Sequence, residues 1–255
     1  MRELPSLPSF RLDGRRALVV GASSGIGEGC AAALAEAGAE VFVAARDKER
    51  LHALAGKMAR AGHRCRVLGL DVSQVGRMQA AVAENGPFDI LVNSAGLARH
   101  GFAHDTSPED FDAVSGVNFR GAYFLTAAVA RGLIEAGRPG SLINISSQMG
   151  HVGGPERALY CATKHAVEGF TRAMAIDYGP HGIRVNTICP TFIRTPLTEA
   201  TFSDPAQMEW VKGQIRLGRT GEISDIMGAV VYLASEASAL VTGSSLMVDG
   251  GWTAG

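Results

Sequence analysis

Cysteine is scarce in this sequence: four residues, Cys30, Cys65, Cys161 and Cys189, are spread over 255 positions and none forms a CxxC pair. That pattern excludes a disulfide-stapled scaffold, a zinc ribbon and a dithiol redox centre, and it fits reduced thiols in a cytoplasmic protein. No metal is expected. Long apolar runs are missing as well. No stretch reaches the roughly 18 residues of a membrane helix, and the first ten residues, with Pro5 and Pro8, carry no leader-like apolar run. Charge of neither sign dominates: 24 Lys+Arg against 25 Asp+Glu leave −1, which gives no reason to expect a nucleic-acid or membrane partner. At 46% hydrophobic residues the chain is too apolar and too neutral for disorder. What is abundant is glycine, 32 residues where a usual share of about 7% would give far fewer, with no collagen period to account for it.

Short β-branched runs alternate with alanine-rich amphipathic stretches. Residues 16–20, 40–44, 64–70, 88–92, 141–146, 184–189 and 246–248 read as strands; 25–37, 48–60, 75–83, 108–133, 157–178 and 222–235 read as helices. Alternation of this kind predicts an α/β fold with a doubly wound parallel sheet and helices on both faces. The strand runs lack polar alternation, as strands covered on both sides do. Residues 1–11 read as a loose N-terminal segment and 12–255 as a single domain. Residues 190–218 show no clear element, and a loop that long inside a domain is usually functional.

The first strand runs into Gly21-Ala22-Ser23-Ser24-Gly25-Ile26-Gly27 and then a helix. Unpaired N–H groups and the positive helix dipole make such a terminus a phosphate site, and glycine lets the phosphate approach. The spacing is GxxxGxG with no lysine after Gly27, so it is not an NTPase P-loop. In dinucleotide folds an acid at the end of the second strand holds the ribose 2′-hydroxyl. Here Ala45 takes that place, and Arg46 follows, a residue suited to a 2′-phosphate. The expectation is NADP(H) in preference to NAD(H).

Tyr160 and Lys164 are spaced i,i+4 on one helix face. An ammonium beside a phenol favours the phenolate and makes tyrosine a usable proton donor and acceptor. Ser147 lies just past a strand end, where ligands bind in such sheets. Asn118 falls inside a helical pattern, an unfavourable place for asparagine.

On these residues the chain resembles the short-chain dehydrogenase/reductase family, from about Leu12 to Trp252. Gly21–Gly27 resembles the TGxxxGIG fingerprint with Val20 in place of threonine. Asp71-Val72 is similar to the adenine-contacting pair, and Asn93-Ser94-Ala95-Gly96 to NNAG with one serine exchanged. Asn118, Ser147, Tyr160 and Lys164 match the catalytic tetrad. Pro190, Ile193 and Thr195 match the cofactor loop, although Thr191 stands where glycine is common, and Val248-Asp249-Gly250-Gly251 matches a C-terminal signature.

The resemblance implies a Rossmann-like sheet of about seven strands. It implies a carbonyl–alcohol oxidoreductase in which Tyr160 moves the proton, Ser147 positions the substrate oxygen, Lys164 lowers the tyrosine pKa, and Asn118 holds a water of a proton relay. Cofactor contacts are implied for Gly21, Ser23, Ser24, Gly25, Ile26, Gly27, Arg46, Asp71, Val72, Asn93, Ala95, Gly96, Tyr160, Lys164, Pro190, Ile193 and Thr195. His151 is a candidate substrate contact beside Ser147 and Tyr160, with His100 and His104 weaker ones. The expected substrate is a small polar polyol, sugar or sugar acid. The alternatives are a 3-oxoacyl thioester on an acyl carrier protein and, in another class, an inactive cofactor sensor or assembly protein. A homotetramer is implied, through the two long helices and the C-terminal region.

Overall fold

The computed structural model describes residues 4–255. Of the expected loose segment, residues 1–3 lie outside the described residues; residues 4–11 are exposed and carry no helix or strand, and Leu12 is the first core residue.

Seven strands make one sheet: β1 (Arg16–Val20), β2 (Glu40–Ala45), β3 (Cys65–Gly69), β4 (Ile90–Asn93), β5 (Gly140–Ile145), β6 (Ile183–Pro190) and β7 (Ser245–Val248). Their order is β3-β2-β1-β4-β5-β6-β7 and every pairing is parallel. The helices are α1 (Gly25–Glu36), α2 (Lys48–Arg60), α3 (Val75–Asn85), α4 (Pro108–Ser115), α5 (Ala122–Glu135), α6 (Ala158–Tyr178), α7 (Glu199–Phe202), α8 (Pro205–Gln214) and α9 (Ile223–Ala234).

Side-chain alternation in β1 sorts the core into two layers. Ala17 and Val19 pack under α1, α2 and α9; Leu18 and Val20 pack under α3, α5 and α6. Leu18 pairs with Phe42 and Leu91 in register, all three fully or nearly fully buried. Helix starts follow local chemistry. Asp47 caps α2 by accepting from the Arg50 amide, and Ser107 caps α4 ahead of Pro108. Glu222 and Asp225 form a reciprocal capping box on α9.

Two expectations need correction. The helix expected over 108–133 is α4 and α5 joined by a π-helical turn, Gly116–Gly121. Gly121 packs directly against β3's outgoing chain: a Cβ there would stand 2.9 Å from the Val72 carbonyl oxygen. Residues 190–218, expected to be without structure, contain α7 and α8. Asp204 caps α8 through the amides of Ala206 and Gln207, and Pro205 begins it. A small third core of Met149, Cys161, Phe192, Val211, Ile215 and Trp252 anchors this segment.

Candidate active site

The chain leaves β1 toward β2 and β4 toward β5, so the strand order reverses between β1 and β4 and a crevice opens at their carboxyl ends. A cleft of about 1080 Å³ occupies it. The β1–α1 turn forms its floor. Gly21 has φ +81°, and a Cβ on it would stand 2.6 Å from the carbonyl carbon of Ser94. Ser23, Ser24, Gly25 and Ile26 line the cleft, and no side chain caps α1. Its first-turn N–H groups are therefore left for an anion. Gly27 serves differently from the expectation. It is not among the lining residues, and its Cβ would stand 2.2 Å from the Gly21 oxygen. It lets the helix sit down on the turn rather than clearing room for phosphate.

Arg46, Asp71, Val72, Ala95, Gly96, Pro190, Ile193 and Thr195 also line the cleft. One oxygen of Asp71 accepts from the amide and hydroxyl of Ser73, which fixes the carboxylate at the rim. Asp47 lines the cleft beside Arg46, but its carboxylate is engaged with the Arg50 amide and guanidinium. Asn93 stands behind the wall: its amide donates to Asn144 and its oxygen accepts from the Ala95 amide, tying β4 to β5. Thr195 approaches the α1 terminus, its Cβ 3.2 Å from where a Cβ on Gly25 would lie, and Thr198 braces that turn.

Ser147, Tyr160 and Lys164 converge in the same cleft. Ser147 follows β5 and donates to the Gln148 side chain at 2.7 Å. Lys164 is buried, donates to the Ile145 carbonyl at 2.9 Å, and holds its ammonium 5.6 Å from the Tyr160 ring centre. Burial pushes Lys164 down to about 8, against the pull of Cys189 and Glu168. Burial also pushes Tyr160 up to about 12, and the Ser147 hydroxyl and Arg157 only partly oppose it. Desolvation is thus the largest influence on the phenol in the chain by itself, ahead of the lowering by Ser147 and Arg157.

Asn118, 2% exposed, sits in the π turn and does not line the cleft. Its oxygen accepts from the Leu97 amide, and its nitrogen donates to the Leu97 carbonyl and to Thr163 Oγ1. Both amide hydrogens are therefore occupied. The side chain clamps the β4 loop to α6 one residue before Lys164. The widened turn is what allows an asparagine there.

His151 is also absent from the cleft lining; its ring turns to Glu168 and Cys189. His100 instead stands edge-on to Tyr160, 6.0 Å between ring centres, and burial lowers it to about 4. Sequence reasoning overlooked Ser146 and singled out Thr191 only as a departure from glycine; both are cleft residues whose buried hydroxyls have no partner within the described residues. It also overlooked Glu168, whose signal was available: it continues the four-residue spacing of Tyr160 and Lys164. An uncapped helix terminus, open strand ends and two unpartnered hydroxyls in one elongated cleft fit a dinucleotide.

Comparison with known proteins agrees with this geometry. A family model described as enoyl-(acyl carrier protein) reductase matches residues 21–253. D-erythrulose reductase of Gallus gallus is 38% identical over 245 residues, covering 96% of this chain and 98% of the relative. D-threitol dehydrogenase of Mycolicibacterium smegmatis is 39% identical over 250 residues, covering 96% and 95%. The crystal structure of a gluconate 5-dehydrogenase from Burkholderia cenocepacia in complex with NADP and tartrate superposes with TM-score 0.94 at 38% identity, covering 98% of this chain and 99% of that one. Fold, cleft and full-length similarity together establish that the chain belongs to the short-chain dehydrogenase/reductase family.

Proposed function

We propose that this chain is an NADP(H)-dependent oxidoreductase that interconverts a carbonyl and a secondary alcohol on a small polyol, sugar or sugar acid. One observation carries the reading: Ser147, Tyr160 and Lys164 meet in the cleft that the bare α1 terminus opens into. The names of the relatives, erythrulose, threitol and gluconate enzymes, favour such substrates over an acyl thioester. The complete Ser–Tyr–Lys set in that cleft weighs against an idle sensor.

The α1 terminus would hold the pyrophosphate, Asp71 and Val72 the adenine end, and Lys164, Ile193 and Thr195 the nicotinamide end. Arg46 would pair with a 2′-phosphate, helped by the prior engagement of Asp47. A bound nicotinamide cofactor supplies or accepts the hydride. The protein's share is proton and position. Tyr160 as the phenol donates its proton to the carbonyl oxygen in reduction, and as the phenolate that this step leaves it takes the hydroxyl proton in oxidation. Ser147 steers that oxygen with its hydroxyl. Lys164 places positive charge beside the phenol at the moment it becomes anionic, and Asn118 acts as a positioning residue through Leu97 and Thr163. A homotetramer is part of the same reading, supported by exposed Phe111, Phe119 and Tyr123 on the α4–α5 surface. Cytoplasmic residence is supported by four free cysteines.

The test is Tyr160→Phe. Carbonyl reduction with NADPH should fall about 10²–10⁴-fold while NADPH binding, read by nucleotide fluorescence, stays near wild type. Turnover within a few-fold of wild type would overturn the assignment.

A further inference from the structure

Behind the cleft, Glu168 lies one turn past Lys164 on α6 and is 2% exposed. No lysine or arginine pairs with it among the described residues. Two metal-ligand types meet it there. His151 Nε2 lies 3.5 Å from Glu168 Oε2, the Cys189 thiol donates to Glu168 Oε1 at 3.3 Å, and His151 Nε2 lies 3.6 Å from Cys189 Sγ. A tetrahedral ion with ligand bonds of about 2.0–2.3 Å needs ligand atoms roughly 3.3–3.7 Å apart. The His151–Cys189 separation has that length; the His151 and Cys189 approaches to Glu168 fall on its two different oxygens, and one ligand atom from each residue lies within 4.8 Å of the other two.

We propose that His151, Glu168 and Cys189 form a binding site for a thiophilic divalent cation of the zinc type, with water at the fourth position. The donor set is one nitrogen, one oxygen and one sulfur, the kind that selects zinc over magnesium or calcium. The supporting contacts are in place: Thr187 Oγ1 donates to Glu168 Oε2 at 3.1 Å, and the Ser245 hydroxyl donates to the same oxygen. The entry path is the His151 side chain, 28% exposed, whereas Glu168 is sealed inside. On binding, the Cys189 S–H bond breaks, its proton leaves to solvent, and a sulfur–metal bond forms. The dication then balances one thiolate and one carboxylate, so a buried carboxylate without a lysine or arginine partner gains a full counter-charge. The site shares no residue with the proposed catalysis and stands or falls independently of it.

Titration of the full-length, metal-free protein with cobalt(II) chloride tests it. A thiolate-to-cobalt absorption band should appear, saturate at one equivalent per chain, and be erased by zinc sulfate. Cys189→Ser should abolish the band, whereas Cys65→Ser, which removes the half-buried cysteine elsewhere, should leave it. His151→Gln, at the rim and remote from the core, should weaken zinc binding by at least about tenfold by calorimetry. Absence of the band, its survival in Cys189→Ser, or wild-type zinc affinity in His151→Gln would each overturn the proposal and leave the trio as a hydrogen-bonded packing cluster.

Discussion

On one side of the cleft the chain ends β1, β2 and β4 side by side, and the wall is largely backbone: the Gly21–Gly27 turn, the α1 terminus, and Ser94–Gly96. On the other side, the segment 190–198 lines the opening and leads into two short helices, with Thr201, Val211 and Ile215 as the buried residues of and just after α7 and α8. The first wall is held by ladder hydrogen bonds and close approaches that leave no room for a side chain. The second is held by aromatic packing, Phe192 and Trp210 against Trp252, and by one isolated bridge from Ile193 to Gly221. A rigid wall suits a ligand common to a whole family, and an adaptable one suits the substrate that differs between members.

The contrast can be broken most severely at Gly27. Gly27→Ala places a Cβ against the Gly21 carbonyl oxygen, and we expect a loss of about 2–3 kcal/mol, roughly 5–10 °C in Tm, by thermal melting, together with weakened cofactor binding. Arg46→Ala comes next. NADP(H) affinity should fall about 10–100-fold with NAD(H) affinity unchanged, and equal loss for both would reassign Arg46.

On the second side, Asp225 holds the start of α9, accepting from both Arg219 nitrogens and from the Glu222 amide, which keeps its carboxyl down at about 2. A depressed carboxyl stabilises the fold above its unfolded value near 3.8 and loses that contribution as pH falls toward 2. Asp225→Asn should therefore cost no more than about 1 kcal/mol at neutral pH, since the pair is partly exposed, with the difference from wild type vanishing across that acid window in denaturant melts. The smallest effect belongs to Trp210→Ala. Substrate KM should rise by roughly threefold or less, with the NADP(H) dissociation constant unmoved, which would place the substrate wall and the cofactor wall under separate control.

The rigid wall was also the readable one. Apolar runs and the GxxxGxG turn announce β1, α1 and the strand ends because ladder geometry and phosphate approach constrain residue type locally. The 190–218 wall was opaque, since α7 spans four residues and α8 ten, and both are fixed by contacts to Trp252 and Met149, far away in sequence. The i,i+4 spacing of Tyr160 and Lys164 reveals that they are neighbours and says nothing of the desolvation that acts on both. The bearing of the His151 ring was illegible for a similar reason: proximity in sequence to Ser147 does not fix which side of the sheet end a ring turns to.

The π turn at Gly116–Gly121 has a consequence for the length of this stretch. An α-helix turns about 100° with each residue, so α4 and α5 behave as one rod carrying a single surplus residue that is absorbed in place. Deleting one residue between 116 and 121 would remove the surplus and let α4 and α5 join as one regular helix in phase, so the loss would fall on the turn itself, on the Asn118 clamp to Leu97 and Thr163. A one-residue deletion here therefore separates the clamp from the packing of the two helices that flank it, which a point substitution in the same turn does not do.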